Sequence, residues 1–87
     1  MSEKSKEKYQ YNYKRLKGRI RERYHTQERF AEALGIGRVS LSQRLGNKLE
    51  FTQDEIYRAC HLLDIDIAQA WDYFFSDEYV KAGWKTN

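Results

Sequence analysis

The sequence contains no proline, a single cysteine and no long apolar run. Cys60 has no second cysteine for an internal disulfide, and His25 and His61 do not form with it the close cluster that zinc needs. We therefore expect no metal site and interpret Cys60 as a small buried apolar residue. No stretch approaches the roughly 20 apolar residues of a bilayer span, and the first residues lack the apolar core of a signal peptide. These absences predict a soluble intracellular protein.

Net charge is only +3, but it is divided unevenly along the chain. Residues 1–50 contain 13 basic and 6 acidic side chains, and residues 51–87 contain 3 and 7, so the halves carry +7 and −4. A basic first half attracts phosphates, whereas an acidic second half is repelled by them. If the partner is a nucleic acid, the first half faces it. The alternative is that these charges only solvate helix surfaces.

The 87 residues are enough for a single core, and three segments are predicted. Residues 1–11 alternate lysine, glutamate and serine, which indicates a flexible charged arm. Residues 12–75 have helical periodicity and form the domain, and residues 76–87 form a short tail. The first helix has an apolar face made of Tyr13, Leu16, Ile20 and Tyr24.

Two short helices follow, with clear boundary signals. Thr26 is placed to cap a second helix over residues 27–34, and Gly35 is the usual glycine of a helix end. The third helix is bounded by Gly37 or Arg38 at its start and by Gly46 with Asn47 at its end. Its buried side is predicted to carry Leu41 and Leu45.

The fourth helix has the strongest local signal in the chain. Thr52 and Glu55 have capping-box spacing, and Phe51 and Ile56 are placed for a hydrophobic staple. A weaker capping pattern of the same kind predicts the start of a fifth helix. The apolar stripe of this helix is Ile67, Ala70, Trp71 and Phe74. Five short helices without a convincing strand pair predict an all-α fold.

Residues 26–47 combine two helices with a glycine turn, as in a helix-turn-helix. The run TQERFAEALGIGRVSLSQRLGNK resembles the helix-turn-helix of the lambda repressor and Cro superfamily. The stretch KLEFTQDEIYRACHLLDID is similar to the next helix of small regulators from phages and prophages of Gram-positive bacteria. The resemblance covers residues 12–75. It implies a five-helix lambda-repressor-like domain with a short C-terminal tail.

The resemblance implies a Cro-like or repressor-like transcription regulator, which occupies an operator in double-stranded DNA in the bacterial cytoplasm and needs no cofactor. It implies base contacts from Gly37, Arg38, Val39, Ser42 and Gln43. It implies phosphate contacts from Gln27, Arg44, Asn47 and Lys48. Arginine can bind guanine, and glutamine adenine, through two hydrogen bonds each, so Arg38 and Gln43 are the strongest candidates for specificity.

A homodimer is expected, because one recognition helix covers too few base pairs to select an operator. The acidic second half is the available interface, and it concentrates aromatic residues. The predicted interface residues are Phe75, Tyr79, Val80 and Trp84. The alternative is that residues from Tyr79 to Trp84 fold back over the chain's own core.

An enzyme is not expected, since no nucleophile is arranged around either histidine and no glycine-rich phosphate loop is present. We expect neither a small-molecule substrate nor a membrane partner. The competing hypothesis is a protein-binding module on the same fold, such as an antirepressor, an antitoxin or an inhibitor of a host defence protein.

Overall fold

The computed structural model describes residues 10–75, and within this range it contains helices and no strand. The five α-helices are α1 (Lys14–Tyr24), α2 (Gln27–Leu34), α3 (Arg38–Leu45), α4 (Gln53–Leu62) and α5 (Ala70–Phe74), and a short 3-10 helix (Ile67–Gln69) precedes α5. The predicted all-α fold with five helices is confirmed. Most of the predicted charged arm and all of the tail, including Tyr79, Val80 and Trp84, lie outside the described residues.

The boundaries of α2 follow from local backbone chemistry. Thr26 Oγ1 accepts a hydrogen bond from the Arg29 backbone N–H at 3.1 Å, which satisfies a donor that the first turn leaves open. Gly35 ends the helix with φ of 85°, the left-handed conformation that glycine adopts without steric cost. Both boundaries agree with the sequence prediction.

The capping box of α4 is also confirmed. Thr52 Oγ1 accepts from the Glu55 backbone N–H at 3.1 Å, and Glu55 Oε1 accepts from the Thr52 backbone N–H at 3.0 Å. This reciprocal pair satisfies two N–H groups at the start of the helix. It also draws the Glu55 carboxylate towards the interior.

The predicted apolar stripe of the fifth helix is wrong in part. Phe74 is buried, but Ile67 is 54% exposed and Trp71 is 58% exposed. The first turn of this segment is 3-10, whose three residues per turn shift Ile67 out of phase with the α-helical turn that follows. Within α5 itself only Phe74 is buried and Trp71 lies at the surface, so the stripe is narrower than predicted.

The core lies where α1, α2, α4 and α5 meet, and α3 contributes two leucines to it. The largest fully buried side chains are Phe30, Phe74, Leu16, Ile20, Leu34, Leu41, Leu63 and Cys60. Burial raises the pKa of the Cys60 thiol, consistent with the predicted apolar role. Among residues 10–75, none of the helices is long and apolar enough to cross a membrane.

Candidate nucleic-acid interface

The turn between α2 and α3 is held by hydrogen bonds at both sides. The backbone N–H groups of Gly35 and Ile36 both donate to the carbonyl oxygen of Ala31, at 2.9 and 3.0 Å. On the other side, the Arg58 guanidinium of α4 donates to the carbonyl oxygen of Leu34. Two carbonyls in the last turn of α2 are thus satisfied, one by the backbone of the turn and one by the Arg58 side chain.

The five residues predicted to face bases share one exposed surface of α3 and its first turn. They are Gly37, Arg38, Val39, Ser42 and Gln43. Val39 is 68% exposed, so its methyl groups are open to a partner. The opposite side of α3 is anchored by buried Leu41 and Leu45. The structure therefore brings the predicted set together and leaves it free to contact a partner.

An open cleft of about 610 Å³ runs along this surface. One wall is α3, from Arg38 to Gln43, and the other is made by α1 and the start of α2. Gln27 lies on the second wall, opposite α3, where it was predicted to meet a phosphate. The wall from α1 adds Lys17 and Arg21, which the sequence analysis did not single out.

The spacing of the missed residues was a usable signal. Lys14, Lys17 and Arg21 recur at three- and four-residue steps and so share a side of α1. The spacing rule that predicts the apolar face of α1 therefore also places these three charges together.

Arg44 was predicted to contact a phosphate, but its side chain is directed inward. Nε lies 2.8 Å from Glu55 Oε1, Nη2 lies 3.2 Å from Oε2, and Nη1 donates to the carbonyl oxygen of Ser40 at 3.0 Å. The Arg44 side chain is only 15% exposed. Each of its three guanidinium nitrogens donates a hydrogen bond within the fold, so Arg44 is not included among the residues offered to a partner.

The charged form of Glu55 is favoured by these contacts. Burial by itself would raise the pKa of Glu55, but the hydrogen bonds from Arg44 and Thr52 and the charges of Arg44 and Arg58 outweigh it and lower the pKa. The carboxylate is therefore ionised and paired. This ion pair joins the last turn of α3 to the first turn of α4.

Asn47 also has a role within the fold. Its backbone is left-handed, with φ of 63°. Its side-chain amide binds the backbone of Tyr11 at both groups, since Oδ1 accepts from the Tyr11 N–H at 2.7 Å and Nδ2 donates to the Tyr11 carbonyl at 2.9 Å. Asn47 thereby fastens the backbone just before α1 to the end of α3. Lys48, the next residue, is exposed.

Of the predicted dimer residues, only Phe75 is described. Its ring is half-buried and contacts two rings of its own chain, with centroids 4.9 Å from Trp71 and 5.7 Å from Tyr11. Part of its surface is therefore used within its own chain. Ile67 and Trp71 are more exposed than Phe75 on the same segment.

Five short helices with an exposed α3 define a small helix-turn-helix architecture. The chain belongs to a protein family of unknown function, DUF739, whose model matches residues 9–77. It is similar to the modulator of repression (MOR) of the temperate bacteriophage TP901-1 from Lactococcus lactis, at 36% identity and a TM-score of 0.68. That match covers 76% of this chain and 89% of the other. No curated protein matches the chain significantly. The predicted relationship to small phage regulators is confirmed.

Proposed function

We propose that the protein regulates phage repression by binding operator DNA through the exposed surface of α3. The main observation in support of this proposal is that a basic cleft runs along α3, the second helix of the helix-turn-helix. Arg38, Ser42 and Gln43 offer hydrogen-bonding groups, and Val39 offers methyl groups, at a surface with no apolar stripe. These are the chemical groups that read base edges in a major groove.

The bases would be read from the start of α3, and phosphates would be held at its flanks. Gln27 stands across the cleft from α3 and Lys48 follows its C-terminal end. Both are exposed and therefore able to meet the two phosphate backbones that border a groove. In this proposal Arg44 and Asn47 support the helix from within and do not touch DNA.

The test is selection of bound sequences from random duplex DNA, followed by affinity measurements over a range of salt concentrations. A recovered consensus and an affinity that falls steeply with salt would support the proposal. Failure to enrich any sequence, with no salt-dependent binding of any duplex, would refute it.

We further propose that the protein acts as a homodimer in the bacterial cytoplasm, because two reading helices about 34–36 Å apart would read a palindromic site. A palindrome in the selected sequences, together with a dimer mass by sedimentation equilibrium, would support this. A monomer mass both in solution and on the selected DNA would contradict it.

A second candidate is a module that binds another regulatory protein through the same surface. The similar phage protein is named a modulator of repression, and a modulator can act on a repressor protein instead of on DNA. Val39, 68% exposed amid basic side chains, also suits an acidic protein surface with an apolar centre. The DNA selection separates the candidates, because a protein-binding module would enrich no sequence.

A further inference from the structure

The basic side chains of α1 form two groups with different surroundings. Three arginines are engaged by the segment after α4: Arg15 lies 3.7 Å from a carboxylate oxygen of Asp72, and Arg23 lies 3.9 Å from one of Asp64. Arg19 donates to two backbone carbonyls after α4, at 2.9 and 3.0 Å. These three charges are compensated within the chain, by groups of the segment that follows α4.

The other three are Lys14, Lys17 and Arg21, spaced i, i+3 and i+7 along one side of the helix. All are exposed, and within residues 10–75 none has an ion pair or a side-chain hydrogen bond. Their charge is not compensated by the fold. Long cationic side chains of this kind are available to an anionic partner.

The position of this row relative to α3 is given by two adjoining clefts. Lys17 and Arg21 line the cleft that Arg38 and Gln43 border. The same two residues, with Lys14, line a second cleft of about 520 Å³ that reaches the end of α3 at Asn47. The row therefore runs beside α3 from its start to its end.

We propose that Lys14, Lys17 and Arg21 form a second phosphate-binding row, which holds one strand of duplex DNA while α3 faces the groove. This inference rests on the proposed function. Seven residues of α-helix rise by about 10 Å. One strand presents more than one phosphate over this length, so the members of the row can meet different phosphates of the same strand.

Such a row supplies affinity without sequence preference. Contacts to phosphates release counterions and make binding salt-dependent, whereas base contacts determine the sequence. Removing a member of the row should therefore lower affinity for every duplex by a similar factor. It should leave the selected sequence unchanged.

The test compares Arg21→Gln with Arg23→Gln. The two variants remove the same charge from the same helix, two residues apart, and differ in the side of α1 that they change. Binding of a 20-base-pair duplex of the selected sequence and of a scrambled duplex is measured by fluorescence anisotropy at several salt concentrations. Circular dichroism and thermal unfolding establish that both variants are folded.

We expect Arg21→Gln to reduce the slope of log affinity against log salt by about one unit, and Lys17→Gln with Arg21→Gln together by about two. Arg21→Gln should weaken binding to both duplexes by about 5–10-fold near 0.1 M salt. Arg23→Gln should leave the slope unchanged. Equal slopes for Arg21→Gln and Arg23→Gln would overturn the row, because the effect would then be one of net charge.

The outcome also separates this inference from the proposed function. One outcome overturns only the phosphate-binding row of α1. In that outcome the wild-type protein binds DNA and the α3 variants lose sequence preference, but Lys17→Gln and Arg21→Gln keep the wild-type slope of log affinity against log salt. If the wild-type protein binds no duplex in a salt-dependent way, the proposed function is overturned and this inference with it.

Discussion

The guanidinium of Arg44 and the carboxylate of Glu55 form a two-point ion pair, with Nε 2.8 Å from Oε1 and Nη2 3.2 Å from Oε2. The side chains are 15% and 10% exposed. The pair links α3 to α4, and so fixes the exposed surface of α3 to the rest of the domain. Removing one partner would leave a largely buried charge uncompensated.

We expect Arg44→Met to lower the free energy of unfolding by about 3 kcal/mol, the usual effect of breaking a buried ion pair from one side. Urea denaturation measures it. Arg38→Met is the matched control, since Arg38 is exposed on the same helix, and its effect should stay within about 0.5 kcal/mol. Similar small changes in both variants would show that the ion pair does not stabilise the fold.

The lowered pKa of Glu55 predicts how stability depends on pH. The folded state binds the Glu55 proton more weakly than the unfolded state, where the pKa lies near 4.5. The stabilisation is therefore complete above that value and is lost as pH falls through the lower pKa of the folded state. Unfolding free energies measured from about pH 7 to about pH 3 should decline less in Glu55→Gln than in the wild type.

Glu55→Gln should also be less stable than the wild type at neutral pH. Glu32→Gln is the control, because Glu32 is exposed and has no ion pair within the described residues. Its pH profile should follow that of the wild type. Parallel profiles for all three proteins would contradict the assigned role of Glu55.

Asn47 has two structural properties that substitutions can separate. Asn47→Gly keeps the left-handed backbone but loses both hydrogen bonds to Tyr11, while Asn47→Ala loses the bonds and adds strain at φ of 63°. We expect a loss of about 1–2 kcal/mol for glycine and about 1 kcal/mol more for alanine. Thermal unfolding measures the difference, and equal losses would mean that the backbone conformation carries no cost.

The specificity of α3 can be tested at Arg38 and Gln43. Each alanine variant should lose about 1–3 kcal/mol of discrimination at particular base pairs, with little change in stability. Competition binding with single-base variants of the selected site measures this. Arg29→Ala removes an exposed charge from α2 and should keep the wild-type preference. Retained preference at every position in both α3 variants would remove α3 as the reader.

The helix boundaries were predictable because their determinants are close in sequence. Thr26 with Arg29, and Thr52 with Glu55, act over three residues, and Gly35 acts through its own backbone. The exposed surface of α3 followed in the same way from the periodicity of its two leucines. Local chemistry was sufficient for most of the fold.

The roles of Arg44 and Asn47 depend on residues that local patterns do not connect. Glu55 is 11 residues from Arg44, and Tyr11 is 36 residues from Asn47. Which arginines of α1 are compensated is likewise decided by partners more than 40 residues away. No spacing rule identifies such pairs, so Arg44 and Asn47 were predicted to contact phosphates.

The two hydrogen bonds between Tyr11 and Asn47 make the residues just before α1 a useful position for a fluorescent label. They place the backbone at Tyr11 beside the end of α3, and Gln10, the preceding residue, is exposed. Cys60 is the only thiol in the sequence, and it is 1% exposed with a raised pKa, so it reacts slowly. A cysteine introduced as Gln10→Cys would therefore take a maleimide fluorophore selectively. The dye would report directly on a molecule bound beside the end of α3.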